Sequence, residues 1–259
     1  MRAQLLETAT ALLSGGGECA AFRDAGFDQL LLAEAGGGFG GDWGDAEAVL
    51  RLVGYYRPVL DVAALITTPA GGDPVQDGAL GTVALIGGAL QKALELSIDH
   101  ANTRVQFGKP LSKQQAMQQS LAVLAEETAI VAVVAQAAAR ARDAGDAGFE
   151  IGSAKLRANR AAGLGAAIAH QAHGAMGFTQ DYPLHRTTRK LAEWRSAFGN
   201  DAYWSERVGE FALAQGGAGL WAEIARRSDA LIYTKTQSVQ PTTAHPEPVE
   251  GLSLCPPTY

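Results

Sequence analysis

Leu80, Val83, Leu90, Leu94, Ile98 and Ala101 recur at three- and four-residue steps and stop at Arg104, which predicts an amphipathic helix with one buried face. A second stripe, Met117, Leu121, Leu124, Thr128, Val131, Ala135 and Ala138, predicts a long Ala-rich helix that begins after Pro110 and runs toward Arg142. A third helix is predicted over 152–173. A fourth runs from Leu184 through Leu191, Trp194 and Phe211, with a break near Gly199. Nothing between 79 and 228 alternates like a strand for long. Four long helices with short connections, rich in Ala and Gly that let axes approach, predict an all-α fold, an antiparallel four-helix bundle.

Ahead of the bundle the pattern is more broken. A short helix reaches about Leu13, glycines interrupt it at 15–17, another helix passes through Phe22, and a glycine-rich stretch covers 36–41 before helical spacing returns over 45–53. Pro69, Gly71, Gly72, Pro74 and Gly78 mark 67–78 as a loop. After about Ser228 the composition shifts to Thr, Ser and Pro, which cannot bury a core. The expected organisation is a small helical segment over 1–66, the loop 67–78, the bundle over 79–228, and a disordered, non-functional tail over 229–259.

Composition narrows the function classes. Of 259 residues 47% are hydrophobic, enough for a sizeable core, and the net charge of −6 lacks the basic footprint that a nucleic-acid backbone requires. Nucleic acid is excluded as a partner. The longest apolar run, 129–139, is interrupted by Gln136 and is shorter than a bilayer, so no membrane span is expected. The first residues lack the order of a secretory signal, and Cys19 and Cys255 form neither a disulfide framework nor a metal set, which together predict a cytoplasmic protein. His170 and His173 share a helical face but have no Asp, Glu or Cys beside them, so no metal is expected. The glycine run 36–41 lacks the Lys-Ser or Lys-Thr of a P-loop and reads as a flexible turn, and no G-x-S-x-G elbow supports a serine nucleophile.

The chemistry concentrates in Arg104-Val105-Gln106-Phe107-Gly108-Lys109-Pro110. Arg104 offers a planar fork of donors suited to phosphate, Gln106 an amide, and Phe107 a face for a flat ring, while Gly108 and Pro110 turn the chain. Alone, the segment reads as an ordinary helix stop. A second block follows, His170-Gln171-Ala172-His173-Gly174-Ala175-Met176-Gly177-Phe178-Thr179-Gln180-Asp181-Tyr182-Pro183. In order and spacing the two resemble the R-x-x-F-G and Q-x-x-G-G-x-G-[FY]-x-x-[ED]-Y-P signatures of the acyl-CoA dehydrogenase family. Ala25-Gly26-Phe27-Asp28, Glu34 and the glycines that follow are similar to that family's opening helices, so the resemblance covers about 20 to 225.

The resemblance implies an FAD-dependent α,β-dehydrogenation of an acyl-CoA thioester. It places Arg104 and Gln106 on the FAD pyrophosphate, Phe107 beside it and Gln115 toward the adenine. Gln171 and Gly174 would meet the cofactor of a neighbouring subunit, which implies an oligomer; electron-transfer flavoprotein is the implied electron acceptor. Ser112-Lys113-Gln114-Gln115 also has capping-box spacing, which would leave Gln115 tying off its own helix. Three departures stand out. Ala175 replaces the second glycine of the second signature, the family's middle β-domain has only 67–78 in its place, and the position of the usual base, in an E-G-[TS] triplet, holds Phe198-Gly199-Asn200. Glu193 and Asp201 lie near but off that spacing, and Glu95 and Asp99 lie too close to the helix end to serve as the alternative base. The segment 194–200 resembles the branch that acts on CoA esters of steroid side chains, in which unlike subunits divide the flavin site and the base. A homo- or hetero-oligomer with a full-length acyl-CoA dehydrogenase-like subunit follows from that likeness. The catalytic residue is unassigned. A non-catalytic helical scaffold derived from the family is the alternative.

Overall fold

The computed structural model describes residues 2–16, 19–56, 62–68 and 71–233. Among the described residues the regular elements are helices and one two-stranded hairpin. The elements are α1 (Arg2–Ser14), α2 (Cys19–Asp24), α3 (Trp43–Tyr56), α4 (Val62–Thr67), α5 (Pro74–Thr103), β1 (Val105–Gln106), β2 (Lys109–Pro110), α6 (Gln115–Ala144), α7 (Gly148–His173), α8 (Leu184–Ser196) and α9 (Asp201–Tyr233).

The axis of the molecule is α5. Leu80, Val83, Ile86, Ala89, Leu90 and Ala93 are essentially removed from solvent, and the helix packs against α3, α6, α7 and α8. It begins earlier than expected. Asp73 caps it, its carboxylate accepting from the Val75 N–H at 2.9 Å and the Gln76 N–H at 3.4 Å, and Pro74 occupies the first helical position. Proline there sacrifices no hydrogen bond. The residue taken for a loop breaker is thus a start signal, and the part of 67–78 from Pro74 onward is the first turn of α5. Leu124, Val131, Ala135 and Ala138 of α6 and Ile151, Ala154, Ala158, Ala161 and Ala162 of α7 supply the facing layers. The fourth bundle position is shared by α8 and α9, separated near Gly199 as the sequence indicates. Gly216 (φ 69°, ψ 160°) kinks α9, and Arg227 beyond the kink returns to bond Glu150 at 3.1 Å and Asp146. The helix passes the expected boundary at 229 and reaches Tyr233; the rest of the tail lies outside the described residues.

The N-terminal segment is docked by backbone contact. An added Cβ at Gly88 of α5 would stand 1.9 Å from the Arg51 carbonyl oxygen of α3, and one at Gly54 of α3 would stand 2.1 Å from that of Leu85. Two hydrogen-only positions therefore let the axes cross at close range. The glycine-rich stretch folds back on 29–33. The N–H groups of Gly38, Phe39, Gly40 and Gly41 are donated to carbonyls of Ala33, Gln29, Leu32 and Leu30, so they are spent on the turn.

Among the described residues two helices are long and apolar enough to cross a membrane by length and composition, α5 and α6. On the sequence, Gln136 breaks the run 129–139, whereas the helix averages in Ala and Val on both sides of it. In the bundle the most apolar window of α5 is 72% buried and that of α6 is 22% buried.

Candidate functional site

The candidate site grows from the end of α5. The Arg104 N–H still closes on the His100 carbonyl at 2.9 Å, but its backbone is extended (φ −76°, ψ 119°), so the chain leaves the helix at the residue bearing the guanidinium. Val105 pairs with Pro110 and Gln106 with Lys109 across a two-residue turn in which Phe107 (φ 55°) and Gly108 (φ 78°) are both left-handed. Glycine accepts that geometry, whereas phenylalanine pays about 1–2 kcal/mol for it. The Phe107 ring is 92% exposed. A strained, solvent-facing aromatic beside an arginine is a local cost with no packing return within this chain, the pattern expected of a contact surface. The side chain of Arg104 is exposed and makes no ion pair or hydrogen bond among the described residues.

Gln115 is the first residue of α6 and is exposed. The capping-box alternative is not realised. Leu111–Lys113 form a 3-10 turn, Gln114 takes the cap position with no side-chain cap bond, and the Ser112 carbonyl accepts from the Gln118 amide at 2.8 Å. Gln171 is exposed on the last turn of α7. Gly174 ends that helix at φ 59°, ψ −142°, where nothing lies within 4 Å of an added Cβ. The two motif blocks meet at a cavity of about 280 Å³ lined by Asp99, His100, Thr103, Arg104, Met176 and Tyr182. Gln171 and Gly174 are not on its wall.

Beside this cavity lies a cluster that the sequence reading did not find. The His100 and His173 rings stack at 4.6 Å between centroids, and Tyr182 approaches both. His173 Nδ1 lies 2.7 Å from the Ala169 carbonyl, which requires that nitrogen to donate; Nε2, 3.0 Å from the Tyr182 hydroxyl, then accepts from it. Burial lowers both histidine pKa values, that of His100 further because His173 and Arg104 repel its charged form. The only sequence signal was the four-residue step from His100 to Arg104. His170 points elsewhere, stacking on Phe178 at 4.0 Å and meeting the Thr188 hydroxyl at 2.8 Å. Among the described residues no group of three His, Cys, Asp or Glu could hold a metal ion.

A second cavity, about 260 Å³, opens between α4, α5 and the α8–α9 corner, with Gly78, Gly81, Thr82, Trp194, Ala197 and Phe198 among its walls. Phe198, at φ 53°, lays its ring against the Cα of Gly78, where an added Cβ would fall 2.3 Å from ring carbons. Phe198, which the sequence resemblance aligns with the usual base, therefore forms an apolar wall. Asp77 lies on the same lining but is engaged by Arg142 at 2.7 and 3.2 Å. Glu193, also on the lining, pairs with Lys190 at 3.0 Å. Asp201 accepts from the Asn159 amide at 2.7 Å. Glu95 accepts from the Tyr55 hydroxyl at 2.5 Å. None of these stands as an unpaired carboxylate facing the cavity.

The corner bearing Phe198 is held by Lys155, fully buried, whose ammonium donates to Asn159 Oδ1 and the Trp194 carbonyl, both at 2.8 Å, and to the Arg195 carbonyl at 3.4 Å. Burial lowers its pKa from 10.5 to about 8. Since the native value lies below the unfolded one, the unfolded state binds more protons between those limits, and stability rises with pH across that window. The stability difference between wild type and Lys155→Met is therefore expected to shift toward wild type from pH 8 to pH 10, by at most about 1.4 kcal/mol per pH unit. Urea melts of both proteins across that range check it; a constant or falling difference contradicts the assignment.

Comparison with known proteins fits this geometry. Residues 74–213 match the family model "Acyl-CoA dehydrogenase, C-terminal domain". The chain is 36% identical over 115 residues to acryloyl-CoA reductase (NADH) of Anaerotignum propionicum, covering 44% of this chain and 29% of that protein. It is 30% identical over 123 residues to acyl-CoA dehydrogenase FadE28 of Mycobacterium tuberculosis, covering 47% and 36%. A chain of the solved ChsE4–ChsE5 complex from Mycobacterium tuberculosis superposes with a TM-score of 0.51 at 25% identity, over 52% of this chain and 37% of that one. The matched part thus spans only about a third of each relative. Through its C-terminal helical domain, the chain belongs to the acyl-CoA dehydrogenase family.

Proposed function

We propose that this chain is a flavoprotein subunit that helps hold FAD where protomers meet, for the α,β-dehydrogenation of an acyl-CoA thioester, and that a partner completes the site. The observation that carries the reading is the turn at 104–108. An unpaired guanidinium and, three residues on, a strained, 92% exposed aromatic ring are carried there, at the position of the family's first signature.

The residues present fit the cofactor's demands. Arg104 would offer bidentate donors to a pyrophosphate, Gln106 would add an amide, Phe107 would present a face, and exposed Gln115 would serve the adenine end. Gln171 and the open backbone at Gly174 would serve a neighbouring protomer's cofactor. Ala175, exposed after Gly174, adds a methyl at the family's second glycine, which moves that contact onto Gly174 alone. Bound flavin would take up the hydride from the substrate's β-carbon.

This chain's residues do not supply the proton acceptor. Phe198 makes the pocket wall at the base's position apolar, and the neighbouring carboxylates are engaged, so the base and the remaining flavin walls belong to a partner, a full-length acyl-CoA dehydrogenase-like subunit in a homo- or hetero-oligomer. The likeness to a chain of a two-protein complex supports the unlike pairing. Electron-transfer flavoprotein as acceptor and a cytoplasmic location complete the proposal. The alternative is a non-catalytic helical scaffold, and the paired state of Asp77, Glu193 and Asp201 favours it to the same degree as it favours a borrowed base.

The test is Arg104→Ala in the complex co-purified from native cells. Loss of at least about 90% of bound flavin, with the same subunit composition, is expected from removing a charge-assisted bidentate contact. Unchanged flavin content with intact assembly would assign the chain to the scaffold class.

A further inference from the structure

We infer that the outer face of α6 seats a second copy of this chain, the two helices crossing antiparallel about a two-fold axis at Val133. This face starts two turns beyond Gln115, so the inference does not rest on the flavin reading of the 104–108 turn.

Burial singles out the helix. The most apolar window of α5 is 72% buried, whereas that of α6, a helix of the same length, is only 22% buried. The residues left in solvent fall in a pattern. Ala122, Glu126, Ala129, Val133, Gln136 and Arg140 are exposed and follow one another at alternating steps of four and three, which places them along one line of the helix. Val123 and Ile130 stand beside that line, 37% and 38% exposed, and Val133 at its centre is 64% exposed. Leu164 of α7, 45% exposed, extends the patch at one end, because its neighbour Gly165 packs on Leu124. A row of apolar side chains held in water is a cost that a second surface removes.

Charge decides what that surface is. Of the five charged residues on α6, Glu127 is held by Arg157, Arg142 by Asp77, and Asp143 by the Trp43 N–H. The other two, Glu126 and Arg140, both belong to the exposed line, and neither makes an ion pair or hydrogen bond among the described residues. They lie seven residues before and after Val133, about 10 Å along the axis in each direction. Opposite charges at equal distances from a midpoint make the face complementary to itself. A copy related by a two-fold axis at Val133 sets Glu126 of each chain against Arg140 of the other, so both ion pairs form from one register. Val133 then meets its own counterpart, and Ala129 meets Ala137, side chains small enough for the axes to come close. A parallel copy would instead oppose Glu126 to Glu126 and Arg140 to Arg140, and a bilayer would strand both charges in hydrocarbon.

The experiment is sedimentation equilibrium of the full chain over about 1–200 µM. The mass is expected to rise from one chain to two, with a midpoint in the micromolar range because a single helix face is a small interface. Val133→Glu puts two carboxylates against each other on the axis and is expected to weaken the dimer at least about 100-fold. Arg140→Glu and Glu126→Arg each create two like-charge contacts and are expected to weaken it about tenfold. The double exchange Glu126→Arg/Arg140→Glu restores both pairs and is expected to bind within about threefold of wild type. All three positions are exposed, so urea melts of the variants should match wild type at concentrations where it is monomeric. A chain that stays monomeric throughout overturns the inference. So does a dimer that Val133→Glu leaves intact, or single reversals that the exchange fails to rescue. A monomer that binds phosphatidylcholine–phosphatidylglycerol vesicles, and loses that binding in Val133→Glu, overturns it in favour of a membrane surface. A monomer that loses an unlike subunit in Val133→Glu overturns it in favour of that subunit. Flavin absorbance is read separately: self-pairing without flavin upholds the inference and leaves the flavin reading to Arg104→Ala.

Discussion

Gly88→Ala is expected to destabilise the protein by at least about 3 kcal/mol, although alanine is the better helix former by about 1 kcal/mol. The reversal comes from a single contact. The added methyl would lie 1.9 Å from the Arg51 carbonyl oxygen, 2.6 Å from the Tyr55 nitrogen and 2.9 Å from the Arg51 carbonyl carbon, all backbone atoms of α3 that cannot rotate away. The α3–α5 crossing must open, and the layer of Leu50, Val53, Leu85 and Ile86 opens with it. Two other glycines calibrate the measurement. An added Cβ at Gly81 meets Leu50 and Thr67 side-chain atoms at 3.5 Å, ordinary contact, and at Gly209 of α9 it meets nothing within 4 Å. Gly209→Ala should therefore stabilise by about 0.5–1 kcal/mol and Gly81→Ala should be near neutral. Urea midpoints of the three variants decide the matter; equal shifts in all three would mean that the close crossing does not exist.

The second large effect concerns the pair beneath the apolar cavity. Asp77 is 3% exposed, in the first turn of α5, and its two oxygens receive the guanidinium of Arg142 from the end of α6, which also lies over the Trp43 ring at 5.5 Å. Arg142→Leu leaves a buried carboxylate without its partner and is expected to cost about 3 kcal/mol. The double variant Asp77→Leu/Arg142→Leu should recover most of that loss, because removing both charges also removes the cost of keeping them from water. A double-mutant cycle in urea with little coupling between the two positions would show that the pair is not buried in solution.

Much of this architecture was legible in the spacing of apolar residues. Helix periodicity puts Leu80, Val83, Leu90 and Ala101 of the first stripe and Leu124, Val131, Ala135 and Ala138 of the second in the core, while Leu94, Met117, Leu121 and Thr128 are half-buried and Ile98 is exposed; Gly199 marks a real corner. Boundaries fared worse where one residue type has two uses. Pro74 serves equally as breaker and as first helical residue, and only the Asp73 carboxylate aimed at the next N–H groups decides between them. Gln115 fits a capping box on paper, but the 3-10 turn ahead of it moves the cap to Gln114. At the candidate site the arginine and the turn after it were readable from local sequence, whereas the two-residue β1–β2 pairing was not. The His100–His173–Tyr182 cluster and the Asp77–Arg142 pair were not, since each joins residues far apart in the chain whose proximity depends on how the helices are stacked.

The contact between Phe198 and Gly78 has a consequence for the history of this fold. A benzyl group at 198 tolerates only hydrogen at 78, whereas a side chain that leaves that volume empty would release 78 to vary. The two positions, 120 residues apart, should therefore exchange in concert among relatives: an aromatic at 198 paired with glycine at 78, and larger residues at 78 only where the side chain at 198 has shrunk or turned away. Placing a carboxylate at 198 would correspondingly hollow out the floor beneath it, so an acidic side chain there would require compensation at both ends of the pair.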